Sequence, residues 1–384
     1  MKVETKYGQA LLLGYCPALS SREGLEFLTE VHESYDGSEQ RYQLRDFPRQ
    51  TLSYTFDASN KAFGDIFHAI YSNLRGLFAL TMPLHAVSIP DTNGDFIEID
   101  TSNLMGLKSG YALISSEFVE IVAVGRYVLD ENEEPQYVDG LRLDKEINVV
   151  NAKIIPVKIC IIEGDANINT GGYYSSTTAN FRVIADDITE YTATEPQQYK
   201  GDDIYYMPIW TDAGKLESTL TQHQNIVDGS IGGFQSYTHH KKPRYLKPFK
   251  IKFKSKLEYI AAKDFLYRRN GRLKPFWLPL YENHINVLNT GYITNTIQTD
   301  TNLFLESDKK HIAIKRKNGN WSAHEITSKT TNSMTISPPI NANLADIAVL
   351  CYLGLHRLDS DLIEFEFLGN DVGMTTIPIV EINE

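Results

Sequence analysis

Period-two alternation marks one strand in each half of the chain. Leu52, Tyr54 and Phe56 alternate with Thr51, Ser53 and Thr55, and Phe249, Ile251 and Phe253 alternate with Lys250, Lys252 and Lys254. One apolar and one polar face predicts a half-buried strand in each place. A helical pattern follows both. Over 60–76 the residues Phe63, Ile66, Phe67, Ile70 and Leu74 form one apolar stripe, and over 255–271 the stripe is Leu257, Ala261, Ala262, Phe265 and Leu266. Asn60 and Ser255 suit the N-caps, while Gly76 and Gly271 suit the left-handed position past the last turn. A Pro-Leu pair (Pro83-Leu84, Pro279-Leu280) then redirects the chain into another strand. Phe276 and Trp277 are expected to cover the sheet beside the helix rather than to stack on a ligand.

The two stretches share a skeleton. "NLRGLFALTMPLHAVSI" (73–89) and "RRNGRLKPFWLPLYENHINV" (268–287) each run from a basic residue and Gly through aromatics to Pro-Leu and an apolar tail. Further matches are Pro17 with Pro208, Asp36-Gly37 with Asp228-Gly229, Cys160 with Cys351, and Asp187 with Asp371. This order predicts an internal duplication, with modules at 1–190 and 191–384. Differences in spacing are assigned to loops, above all 129–146. Each module reads as mainly β with one principal helix (α+β), a sandwich or split barrel of antiparallel strands. Further strands are expected at 285–288, 303–305, 311–316, 333–337, 347–353 and 362–368, with turns at Asn318-Gly319 and Pro338-Pro339. No βαβ rhythm is present, which weighs against a parallel sheet.

Composition narrows the function. A net charge of −12 over 384 residues argues against broad binding of nucleic acid or anionic membranes. Three cysteines without CxxC spacing make neither a disulfide framework nor a zinc site, and folding in a reducing cytoplasm is the simplest reading. Cys160 and Cys351 sit in apolar runs and read as small buried hydrophobes. No apolar stretch approaches the roughly 18–20 residues that cross a bilayer, so no membrane insertion is expected. Nucleotide-binding, nucleophile-elbow and zinc-protease motifs are absent, and "GSIGGF" (229–234) reads as a loop. His239-His240 on a strand would point to opposite faces and chelate poorly. The carboxylates Asp186-Asp187, Asp202-Asp203 and Glu364/Glu366 read as surface charge. No catalytic, cofactor-binding or metal-binding residue is assigned, and no enzyme is expected.

One charge feature stands apart. Residues 241–256 hold eight Lys/Arg and no acid. Alternation puts Lys250, Lys252 and Lys254 on one strand face. Three readings apply: an edge guarded by lysines, a nucleic-acid surface, or a contact with an acidic neighbouring subunit. The second wants aromatics on the same face, and they fall on the other. The stretch 129–146 carries seven acids, among them Asp130, Glu131, Glu133 and Glu134. These acids and the three lysines are the candidate assembly residues.

The segment "SYDGSEQRYQLRDFPRQTLSYTF" (34–56), a helix and "RGLFALTMP" (75–83) resemble tail-tip proteins of the distal-tail and baseplate-hub group of tailed bacteriophages. So do "FLYRRNGRLKPFWLPLYENHINV" (265–287) and "VLCYLGLHRLDSDLIEFEFLGNDVGMTTIPIVEI" (349–382), and the resemblance spans most of the chain. It implies two tandem tail-tube-like modules in a virion structural protein. The protein would assemble in the host cytoplasm as a homo-oligomeric ring joining the tail tube to the distal hub or fibres, with tube, hub, fibre and tape-measure proteins as partners. DNA would pass through the channel without specific binding. Two modules per chain let a trimer present six similar surfaces, and a hexamer would make a wider ring. The alternative is a receptor- or carbohydrate-binding tail protein that stacks sugars on Tyr and Trp277.

Overall fold

The computed structural model describes the chain except residues 19–20, 35, 102–103, 105–106, 108–109, 130–134, 185–194, 208, 210–216, 223, 231, 239–242, 282–284, 300–308, 370–371 and 383–384. The chain is mainly β, with two α-helices among the described residues and no closed barrel.

In the first half the alternating segment forms β6, after β1 (Lys2–Thr5), β2 (Gly8–Leu13), β3 (Arg22–Glu26), β4 (Thr29–Glu33) and β5 (Glu39–Gln43). β6 (Arg49–Ser59) leads through α1 (Asn60–Asn73) into β7 (Leu77–Thr81), and β8 (Lys153–Ile162), β9 (Asn167–Thr170) and β10 (Tyr174–Val183) complete the set. The sheet order is β1-β2-β7-β8-β10-β6-β3, antiparallel apart from β2–β7. β9 pairs with β10 as a hairpin on the same side as β8. Residues 82–152 form an insertion with a core of Ile89, Ile97, Leu107, Val119 and Leu141, which Ile154 of β8 joins.

The second half contains β11 (Gln198–Tyr199), β12 (Asp202–Ile204), β13 (Thr219–Thr221), β14 (Asn225–Asp228), β15 (Phe234–Tyr237) and β16 (Arg244–Phe253). Then come α2 (Lys256–Arg269), β17 (Phe276–Pro279), β18 (Ile347–Leu358), β19 (Leu362–Phe367) and β20 (Gly373–Glu381). The order is β11-β12-β17-β18-β20-β16-β13, antiparallel apart from β12–β17. β19 pairs with β20 on the β18 side. β4 and β5 form a separate hairpin, as do β14 and β15. Residues 280–346 are again an insertion, with a core that includes Ile297, Ile312, Met334 and Ile336.

Each helix packs on one sheet face. Leu52, Tyr54 and Phe56 meet Ile66 and Ile70 of α1, and Phe249, Ile251 and Phe253 meet Tyr259, Phe265 and Leu266 of α2. Ser255 caps α2 by accepting from Glu258 N–H at 3.2 Å, and Asn270 and Gly271 take the left-handed conformation after it. The expected strands at 311–316 and 333–337 are present with those bounds, and Gly319 turns the chain at φ +92°. The stretch 303–305 lies outside the described residues.

Several expectations need correction. The buried face of α2 is Tyr259, Ala262, Lys263, Phe265, Leu266 and Arg269, so Leu257 and Ala261 point to solvent. The cause is ion pairing, which lets two cations occupy the inner face. The acidic stretch after Leu129 is not one long loop: residues 117–129 and 135–149 are strands paired with each other. Trp277 and Phe276 are strand neighbours and therefore face opposite ways. Phe276 lies 5.3 Å from Phe265 of α2, while Trp277 packs beneath the sheet against Tyr199 and His311. Cys160 stands opposite Phe78 in β7 and Val183 in β10, whereas the residue of β18 opposite Phe276 in β17 and Glu381 in β20 is His356. By ladder position Cys160 therefore matches His356 rather than Cys351.

The revised helix face gives a direct check. Leu266→Ala should lower stability by about 2–5 kcal/mol, because a fully buried side chain leaves a cavity. Leu257→Ala should stay within about 0.5 kcal/mol. Urea midpoints of the two variants measure the difference.

Candidate assembly junction

β3 joins the two halves. One edge pairs with β6, from Arg22 opposite Ser53 to Glu26 opposite Arg49. The other pairs with β19, from Arg22 opposite Glu366 to Glu26 opposite Leu362. Residues directly opposite one another share a face. Leu52, Glu23, Phe365, Thr375 and Ile251 thus form one row across β6, β3, β19, β20 and β16. This row lies on the face that carries both helices. The next row, Ser53, Arg22, Glu366, Met374 and Lys252, lies on the other face and is polar apart from Met374. Leu25 and the adjacent Phe27 leave the first half and enter the core around α2.

Alternation along β3 puts Glu23 on the helix face, beneath α2. Its carboxylate accepts from Lys263 Nζ at 2.5 Å, Tyr259 Oη at 2.5 Å and Gln50 Nε2 at 2.7 Å. His85 Nε2 lies 3.6 Å away. Burial pushes this carboxyl up, but the charge of Lys263 and the contact with His85 outweigh it and hold it well below the usual range. Burial moves His85 the other way, lowering it against the pull of Glu23. Lys256 Nζ donates to the carbonyls of His85 (3.2 Å) and Ala86 (3.4 Å). Gln50 and His85 come from the first half, and Tyr259, Lys263 and Lys256 from the second.

The β4–β5 hairpin adds two clamps. Glu39 takes a bidentate contact from Arg357, Nε at 2.8 Å and Nη2 at 3.0 Å, and a further bond from Arg244 at 3.0 Å. Burial raises Glu39, and the Arg357 hydrogen bonds and charge more than reverse it. Asp361 accepts from Thr29 N–H at 2.9 Å and Arg272 N–H at 3.0 Å, and Arg272 also grips it with its guanidinium. Against burial, these donors keep Asp361 below its ordinary value. The Glu23 carboxylate is enclosed, with both oxygens engaged by these donors.

Of the residues singled out from sequence, Lys250 and Lys252 stand half-buried on the helix-free face, opposite Thr376 and Met374. Lys254 is exposed, and its N–H donates to Glu258 Oε2 at 2.8 Å. Asp130, Glu131, Glu133 and Glu134 lie outside the described residues, as do His239-His240, Asp186-Asp187 and Asp371. Glu364 and Glu366 do share a face opposite buried Phe365 and Phe367. Asp203 is no surface charge: it is buried, and Arg268 and Arg269 both bind it. Cys160 and Cys351 are buried, Cys16 is exposed, and none is in a disulfide. No group of metal-binding side chains occurs among the described residues, and no described helix is long and apolar enough to cross a membrane. Beside α2 a groove of about 680 Å³ is lined by Tyr206, Ile260, Phe265 and Trp321 with Asp264 and Lys315. The junction residues Glu23, His85 and Lys263 were missed from sequence. Their one trace is a lysine at 263 within the turn that should face the sheet.

No protein-family model matches the chain, and no curated protein matches it.

Removing one partner of the buried pair isolates its role. Lys263→Met should cost about 3–5 kcal/mol by stranding Glu23, and Glu23→Gln with Lys263→Met should recover much of that. The folded-state values of Glu23, Glu39 and Asp361 are lowered, so their stabilisation is present above the unfolded carboxyl range of about 4 and is lost as pH falls through the folded values. His85, also lowered, acts in the same direction, because the unfolded chain takes up a proton first below about 6.5. Melting temperatures from pH 7 to pH 3 should therefore fall. The deficit of Glu23→Gln relative to the unmodified chain should shrink over that range.

Proposed function

We propose that the chain is a structural protein of a tailed-phage tail tip or baseplate. In this reading its halves are copies of one tube-like β module, and several chains close into a ring around the DNA channel. The observation that carries it is the matched strand order of the halves, each with one parallel pair and one helix, joined edge to edge by β3. A sheet that passes from one module into the next without a break is the element a ring wall needs. Both helices lie on one face of that sheet. The other face, with Ser53, Arg22, Glu366 and Lys252, is polar and carries neither helix, which suits it to meet a polar surface of a neighbouring chain. Lys250, Lys252 and Lys254 are then contacts to acidic surfaces, with Asp130, Glu131, Glu133 and Glu134 of a neighbouring copy as the candidate partners. The work is mechanical and calls for no cofactor. Three chains giving six modules remains the favoured stoichiometry.

The sugar-binding alternative draws no support from Trp277, which is buried and offers no ring face to a ligand. Native mass measurement should give an oligomer, three times the 43.5 kDa chain for a trimer. Imaging of the tail tip should place it in a layer with six-fold or pseudo-six-fold density. Lys250→Glu combined with Lys252→Glu should weaken assembly. A chain that stays monomeric at every concentration, or assembly indifferent to those reversals, would count against the ring or the lysine contact respectively.

A further inference from the structure

We infer that copies of the chain join head to tail by strand addition: β13 of one copy pairs with β9 of the next, in the register in which β3 pairs with β19 inside a copy. The inference rests on reading the two halves as copies of one module, within the proposed ring.

The ladders define which residues correspond. β3 pairs with the start of β6, Gly24 opposite Thr51 and Glu26 opposite Arg49. β13 pairs with the start of β16, Thr219 opposite Leu246 and Thr221 opposite Arg244. Both are followed by a hairpin and then by the long strand. β19 and β9 each form a hairpin with the strand that ends the module. The two helices are both 14 residues long, which aligns Phe67 with Lys263 and Tyr71 with Tyr267. Inside the chain β3 is inserted against β19. Among the described strands, β13 pairs only with β16, and β9 only with β10. Each therefore presents one open ladder edge. Neither "TLT" nor "NINT" carries the charge or proline that guards an exposed edge.

Side chains on both open edges point to the same partner. Leu25, buried under α2, corresponds to Leu220, which is 59% exposed. Phe365, buried in the internal junction, corresponds to Ile168, 45% exposed. On α1, Phe67 and Tyr71 are 39% and 74% exposed and continue a stacked row from Phe63, with centroids 6.4 and 5.7 Å apart. Tyr267, the counterpart of Tyr71, is half-buried against Phe27, a residue of the inserted arm. Ladder registers put Leu220 on the α2 face of its half and Ile168 on the α1 face of its own. The internal register, transferred, sets Thr219 opposite Asn167 and Leu220 opposite Ala166 of the next copy. Leu220 then enters the cleft between that copy's Ile168 and the Phe67–Tyr71 stripe. Ser218 and Phe67 stand where Glu23 and Lys263 stand internally, so this contact buries no ion pair. It is heterologous, and it closes as a ring when the rotation between modules closes.

Full-length protein tests it by sedimentation and by cross-linking. Leu220→Asp and, separately, Tyr71→Asp should weaken self-association by about tenfold or more while melting as the unmodified chain does. With Cys16→Ser, the pair Asn167→Cys and Thr219→Cys should give covalent multimers on oxidation that neither single cysteine gives. An oligomer that survives both Asp variants and yields no cross-link overturns this interface and leaves the ring reading standing. A strictly monomeric unmodified chain overturns both.

Discussion

The whole arrangement depends on β3 filling two sheet edges at once. β6 and β19 would each leave a row of backbone donors and acceptors unpaired, and a buried backbone group without a partner costs as much as a lost hydrogen bond. β3 satisfies both rows with five residues. It could do this in more than one register if backbone pairing alone decided. Side-chain period two removes that freedom, since a slip of one residue turns every side chain to the other face. Here the slip would expose Glu23 and drive Arg22 beneath α2, against Lys263. Buried ion pairs add little net stability compared with apolar packing. What Glu23, Lys263 and Tyr259 supply is a penalty on the wrong register.

Around this point the hairpin clamps act as a second layer. Glu39 with Arg357 and Arg244, and Asp361 with Arg272 and Thr29, hold the β4–β5 arm against the second half by charge-assisted bonds near 3 Å. The Glu39 clamp is buried almost as deeply as Glu23, whereas the Asp361–Arg272 clamp is partly open to solvent. The aromatic core under α2 then closes over Leu25 and Phe27, so the first half contributes to the second half's hydrophobic core. The halves are therefore one folding unit at this seam, although each insertion keeps a core of its own.

Much of the local structure was legible. Phe249, Ile251 and Phe253 announced a buried strand face, Ser255 announced a helix start, and the two strand–helix–strand runs announced themselves by repetition. What failed did so where charge is buried. A lysine at 263 and an arginine at 269 fall outside the apolar stripe drawn for this helix, and only a partner distant in sequence, Glu23 or Asp203, makes the inner face tolerable. The stretch after Leu129 failed for the opposite reason: strands with exposed acids on their outer positions look like loop. Pairing Cys160 with Cys351 followed residue identity, while the ladder follows position and puts a histidine there.

The same physics separates a junction made once from a junction made repeatedly. Within a chain, Glu23 and Lys263 are tethered, and their desolvation is offset as part of a single cooperative folding event. Two separate copies would have to strip water from both ions at each encounter and would also lose translational freedom. At the positions that correspond, the chain carries Ser218 and Phe67 in their place, with Leu220, Ile168 and Tyr71 around them. Neutral, small and apolar groups meet without that desolvation barrier, and they leave a free chain with scattered rather than continuous apolar surface. A sheet edge supplies direction, and the apolar side chains supply the drive. In the proposed ring, that division would let free chains stay apart until they dock in register.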